Sequence, residues 1–158
     1  MNGARAADGR DFIQNFVYLK ALALDMRMPK FPDQHRFPPH FANIILQFCY
    51  MEKDPMLIPE KSLHLKWVEL SCNAFSGRRM VCSKGGFPQL RAPKLENQEE
   101  LEEWIVEEGL MPCLHALSII GCKMLKKIPG GLKYITSLKE LSIKSMKMDW
   151  KVNLSEGG

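Results

Sequence analysis

Six times along this chain an apolar opener is followed three positions later by a second core-type residue and two positions after that by a third. The phrases are Leu19, Leu22, Leu24; Phe41, Ile44, Leu46; Leu65, Val68, Leu70; Leu90, Pro93, Leu95; Leu114, Leu117, Ile119; and Leu138, Leu141, Ile143. Their openers are separated by 22, 24, 25, 24 and 24 positions. A helix returns its apolar face every three or four residues and a strand every two, so a phrase that passes from three to two turns a corner into a short strand. In the last copy, LKELSI, Leu141 and Ile143 point inward while Glu140, Ser142 and Lys144 point out. A near-constant interval of this length makes each copy one turn of a coil, with its strand stacked on the next.

The phrase L-x-x-L-x-L, with Asn or Cys three places after the third apolar residue, is the signature of a leucine-rich repeat. Cys49, Asn73 and Cys122 fill that later position. The expected fold is therefore an α/β leucine-rich-repeat solenoid. Short parallel strands should line its concave face, with mostly loop, short helical or extended segments on the convex face. Residues 1–15 read as an N-terminal lead-in or partial cap, 16–146 as a repeat domain of about six repeats, and 147–158 as a C-terminal tail.

Between the strands the chain changes character. Met28 to Pro39 contains four prolines and reads as extended outer loop, and Asp54 to Pro59 repeats the pattern. Asn73 to Gly86 reads as a polar, glycine-bearing loop anchored by Met80 and Val81. In Glu99 to Gly109 a helical turn and an extended piece fit equally well, with Leu101, Trp104 and Val106 turned inward. Pro93 stands where the fourth strand wants an aliphatic residue; it removes a ladder donor and should weaken pairing there. Arg10 to Tyr18 and the tail residues Met146, Met148 and Trp150 are candidates for partial covers at the two ends.

Function classes narrow quickly. With 46% hydrophobic and 25% charged residues the chain has the balance of a folded globular protein. No apolar run approaches membrane-spanning length and the first residues hold no signal-like block, so a cytoplasmic protein without a membrane span is expected. None of the five cysteines forms a C-x-x-C pair, which argues for reduced structural thiols rather than a metal site. No phosphate loop, dinucleotide fingerprint, nucleophile elbow or H-E-x-x-H is present, and the four histidines are scattered. The expectation is no enzyme and no cofactor.

Charge is segregated: seven of the eighteen acidic residues lie between Glu96 and Glu108, whereas Lys123 to Lys151 holds eight lysines against Glu140 and Asp149. No recognised nucleic-acid module appears, so nucleic-acid binding is not expected. Protein binding is, through the outward strand positions, which stack into three columns. They are Ala21, Asn43, Trp67, Ala92, Ala116, Glu140; Ala23, Ile45, Glu69, Lys94, Ser118, Ser142; and Asp25, Gln47, Ser71, Glu96, Ile120, Lys144. The candidate partner-binding residues are Trp67, Glu69, Lys94, Glu96, Glu140 and Lys144. Trp67 reads either as an interface anchor or as a residue packed against Lys66 or a loop.

The blocks FSGRRMVCSKGGFPQL (Phe75 to Leu90), EELEEWIVEEGLMPCL (Glu99 to Leu114) and LKKIPGGLKYITSLKEL (Leu125 to Leu141) resemble the last leucine-rich repeats of plant intracellular disease-resistance proteins. The class resembled is the coiled-coil, nucleotide-binding, leucine-rich-repeat type that includes downy-mildew resistance proteins. The resemblance implies pathogen recognition and restraint of a nucleotide-dependent switch. The implied partners are a pathogen effector, a host guardee or the nucleotide-binding domain of a receptor. This sequence carries no nucleotide-binding motif of its own and ends at Gly157-Gly158, where relatives continue, so a truncated product or fragment is the expectation. The sequence also leaves open a generic scaffold or adaptor, or a receptor relic without independent activity.

Overall fold

A computed structural model describes residues 16–29, 38, 40–56 and 62–147. Eight short strands make two parallel sheets. β1 (Ala21–Asp25), β2 (Asn43–Gln47), β3 (Trp67–Ser71), β5 (Lys94–Glu96), β7 (Ala116–Ile120) and β8 (Glu140–Lys144) form one sheet in that order. β4 (Arg79–Cys82) and β6 (Glu103–Val106) form the second. The register follows the repeat: Leu22 faces Ile44, Ile44 faces Val68 and Leu117 faces Leu141, while Leu70, Leu95 and Ile119 lie level across β3, β5 and β7.

The inner coils tuck the same positions under the sheet. Phe41, Leu65, Leu90 and Leu114, the openers of the four inner copies, are buried, as are Ile44, Val68 and Leu117 one step on and Leu46, Leu70, Leu95 and Ile119 one step further. Pro93 fills its place in this core row and shortens β5 to three residues, yet its carbonyl still accepts from the Ser118 amide at 3.2 Å. The strands then leave the sheet through one repeated device. Phe48, Cys72, Asn97, Gly121 and Ser145, each two places after the third apolar residue, have φ between 47° and 66°. That left-handed conformation suits Gly and Asn and costs other residues about 1 kcal/mol or more. At Gly121 a side chain is excluded twice over, by φ and because a Cβ would run into the Asn97 amide oxygen.

The convex side is mostly loop and extended chain. Among the described residues it carries no α-helix, so the α half of the expected α/β class is not seen there; one 3-10 helix, Gly130–Tyr134, is the helical element. Asn73 to Gly86 is not all loop, because Arg79–Cys82 pairs with Glu103–Val106 residue for residue. Of the two fits for Glu99 to Gly109 the extended one is realised, and Leu101, Trp104 and Val106 are buried as expected. Coils of about 24 residues punctuated by Pro88, Pro112 and Pro129 leave little room for a helix. Extended chain covers about 3.3 Å per residue against 1.5 Å in a helix, so it crosses the back of the coil with fewer residues. Met80, Cys82, Trp104 and Val106 point into the core, and the Trp104 indole N–H donates to the Cys82 sulfur at 3.4 Å. One coil earlier, the Asp54 carboxylate continues this sheet by accepting from the Val81 amide at 2.7 Å.

The ends are barer. Phe16, Val17 and Tyr18 form a turn but stay exposed instead of covering β1. Met146 packs partly against the core, whereas the expected lead-in 1–15 and the tail residues Met148 and Trp150 lie outside the described residues.

Candidate functional site

The inner surface of the curved sheet is built by period-two alternation: with Val68 and Leu70 buried, Trp67 and Glu69 must face away from the core. Register, rather than a loop, positions Trp67. It lies level with Asn43 and is 37% exposed. On its other side, two residues before β5 begins, it lies level with Ala92, and both neighbours are short side chains that leave the indole partly exposed.

Beside it three of the predicted residues come together. Glu69 and Lys94 share a rung of β3 and β5, and the Lys94 ammonium lies 3.0 Å from a Glu96 carboxylate oxygen and 3.9 Å from one of Glu69. Ser71, expected to face outward, is almost fully buried and donates its hydroxyl to Glu69 at 3.1 Å, which holds that carboxylate against the floor. The hydrogen bond to Glu96, with the charges of both carboxylates, lifts the Lys94 pKa above the ordinary lysine range. Two carboxylates around one ammonium leave the trio with one net negative charge. Glu140 and Lys144 are not part of it: they sit at opposite ends of β8, with β7 between them and Lys94.

One repeat position, three places after the third core residue of each phrase, matters to how this floor is held. Cys49 and Cys122 lie in the core, as expected, and direct their sulfurs at the Gln47 and Ile120 carbonyls at 3.5 and 3.7 Å. Burial pushes both thiols up from the ordinary cysteine range, so they remain protonated. In the fourth coil the same position is Gln98, which sequence reading missed although it also stands three places after Leu95. Its amide donates to the Glu96 carbonyl at 2.9 Å and its oxygen accepts from the Phe75 amide at 3.1 Å, locking two coils together directly beneath Glu96. Asn73 does similar work, accepting from the Glu99 amide at 2.8 Å.

No cluster of three or more metal-ligating side chains occurs among the described residues, and no helix among them is long and apolar enough to cross a membrane. No protein-family model matches the chain. Individual proteins do. Disease resistance RPP8-like protein 3 of Arabidopsis thaliana is 61% identical over 144 residues, 91% of this chain and 16% of that protein. The chain is a leucine-rich-repeat homologue of plant disease-resistance proteins. Disease resistance protein RPP8 is 59% identical over 95% of the chain, and Disease susceptibility protein LOV1 is 58% identical over 97%, both from the same plant. The homologue spans about 16% of the length of these curated relatives.

Proposed function

We propose that the chain is a non-catalytic, cytoplasmic protein-interaction module that works as the recognition or autoinhibitory surface of a plant immune receptor. The observation that carries this reading is Trp67, held out from a rigid sheet beside the fixed charges of Glu69, Lys94 and Glu96. An exposed tryptophan amid short side chains, rimmed by oriented charge, has the make-up of an interface hot spot. Glu140 and Lys144 extend the contact toward the last strand. The partner is a pathogen effector, a host guardee or the nucleotide-binding part of a receptor. Relatives named for disease resistance and for disease susceptibility both support a shared sensing role with different outcomes.

The test is co-expression in leaf tissue with RPP8 from which the matching segment has been removed, followed by co-precipitation and scoring of receptor activity. Wild-type chain should associate and alter activity, whereas Trp67→Ala and Lys94→Glu should lose most of the association. Equal capture of all three proteins would reject the concave floor as the binding surface.

A further inference from the structure

One position before the first outward column runs a second row: Lys20, Ala42, Lys66, Arg91, His115 and Lys139. Main-chain bonds hold these residues side by side along the N-terminal edge of the large sheet. The Lys20 carbonyl accepts from the Ala42 and Asn43 amides at 2.8 and 2.9 Å, and that of Ala42 from Lys66 and Trp67 at 2.7 and 3.1 Å. The Lys66 carbonyl accepts from Arg91 at 2.9 Å, that of Arg91 from His115 at 2.8 Å, and that of His115 from Lys139 at 2.9 Å. Ala42 meets the same backbone demand with a methyl group, so the fold does not require charge at this position.

Charge there works against the fold. Successive rungs lie about 4.8 Å apart, and like charges facing each other across strands are destabilising. Among the described residues, no carboxylate lies within ion-pair distance of Lys20, Lys66, Arg91 or His115, and the Lys139 ammonium is bonded to the Thr136 carbonyl at 3.2 Å. All five side chains are exposed. At the first three coils the edge opens into a groove of about 420 Å³ lined by Lys20, His40, Ala42, His64, Lys66 and Gln89. The His40 and His64 rings stand 5.7 Å apart across it, and each imidazole offers at least one N–H donor.

We propose that this edge is a docking ridge for an acidic polypeptide segment, separate from the Trp67 floor. From Lys20 to Lys139 the row crosses five rung intervals, about 24 Å, which an extended peptide of seven or eight residues spans at about 3.3 Å each. Carboxylates on alternate residues of such a peptide face the ridge every 6 to 7 Å or so, within the reach of long lysine and arginine side chains. A polynucleotide fits less well. The row itself has no aromatic platform on which bases could stack. The chain's own acidic run is on the opposite side, where Glu103 and Glu107 belong to the convex sheet and the turn after it.

The experiment is fluorescence anisotropy of labelled octaglutamate titrated with the full chain. Saturable binding that weakens steeply as salt rises is expected. Lys66→Glu with Arg91→Glu should weaken it about tenfold or more, and the milder Lys66→Ala with Arg91→Ala should weaken it in the same direction, with unchanged circular dichroism in both. Lys94→Ala, on the floor, should change it less than about twofold. Absence of binding, equal affinity in the double variants, or tighter binding of an oligothymidylate of the same length would overturn the proposal. Because Trp67→Ala and the RPP8 partner take no part, this result stands or falls independently of the floor.

Discussion

Leu117 and Leu141 occupy the same position of neighbouring coils and face each other across β7 and β8, yet Leu117 is 1% exposed and Leu141 47%. Residue type and local conformation are the same; what differs, among the described residues, is the number of coils stacked against them. Ile44 and Val68, with coils on both sides, are likewise buried, and Leu22 on the first strand is only partly so. In a stacked protein the core belongs to the contact between coils, and a leucine at the end of the stack is covered less completely: Leu24 on β1 is 7% exposed where Leu46 beside it on β2 is 1%.

The largest test of that contrast is Leu117→Ala against Leu141→Ala. Truncating a fully buried leucine costs about 2–5 kcal/mol, including the cavity left behind, so Leu117→Ala should lower the urea midpoint sharply. Leu141→Ala should cost about 1 kcal/mol or less, since roughly half of its surface is already wet. Equal losses would show that β8 is covered as fully as β7.

Gln98 sharpens the comparison because it joins inner coils with polar rather than apolar contacts. Gln98→Ala strands the Phe75 amide in the core and should cost about 1–3 kcal/mol in the same denaturation experiment. Gln98→Asn, one methylene too short to bond both partners, should recover only part of the loss.

The smallest effect belongs to the surface trio. Lys94→Ala should cost at most about 1 kcal/mol and less in high salt, since these groups remain in contact with water. The pH dependence has a definite sign. The folded-state pKa of Lys94 is raised, so its stabilisation is complete below the ordinary lysine range and disappears as pH climbs through the raised value. Melts of wild type and Lys94→Ala should therefore converge in strong alkali, whereas at neutral pH wild type is slightly more stable.

What the sequence revealed, and what it hid, follows the same physics. The strands on the inner face were legible because a buried leucine every two residues, renewed every two dozen, leaves a single register. The β4–β6 pair was not, because RMVC is a short alternation inside a polar segment and its partner lies in the next coil. Trp67 was left with two readings, and the register with Asn43 shows only that it stands in the outward column of β3. Gln98 was hidden by residue type but not by position, since counting three places from Leu95 finds it. The left-handed turn residues were hidden altogether: Phe48, Cys72 and Ser145 carry no preference for that conformation, and stacking imposes it on them. The basic edge needed one further column, read one residue before the first.

Residue-resolved hydrogen–deuterium exchange of the native chain measures the cover from neighbouring coils directly. Amide protection should be greatest in β3, β5 and β7 and fall toward β1 and β8, following the number of coils stacked on each strand. Uniform protection across the six strands, or protection greatest in β8, would contradict it.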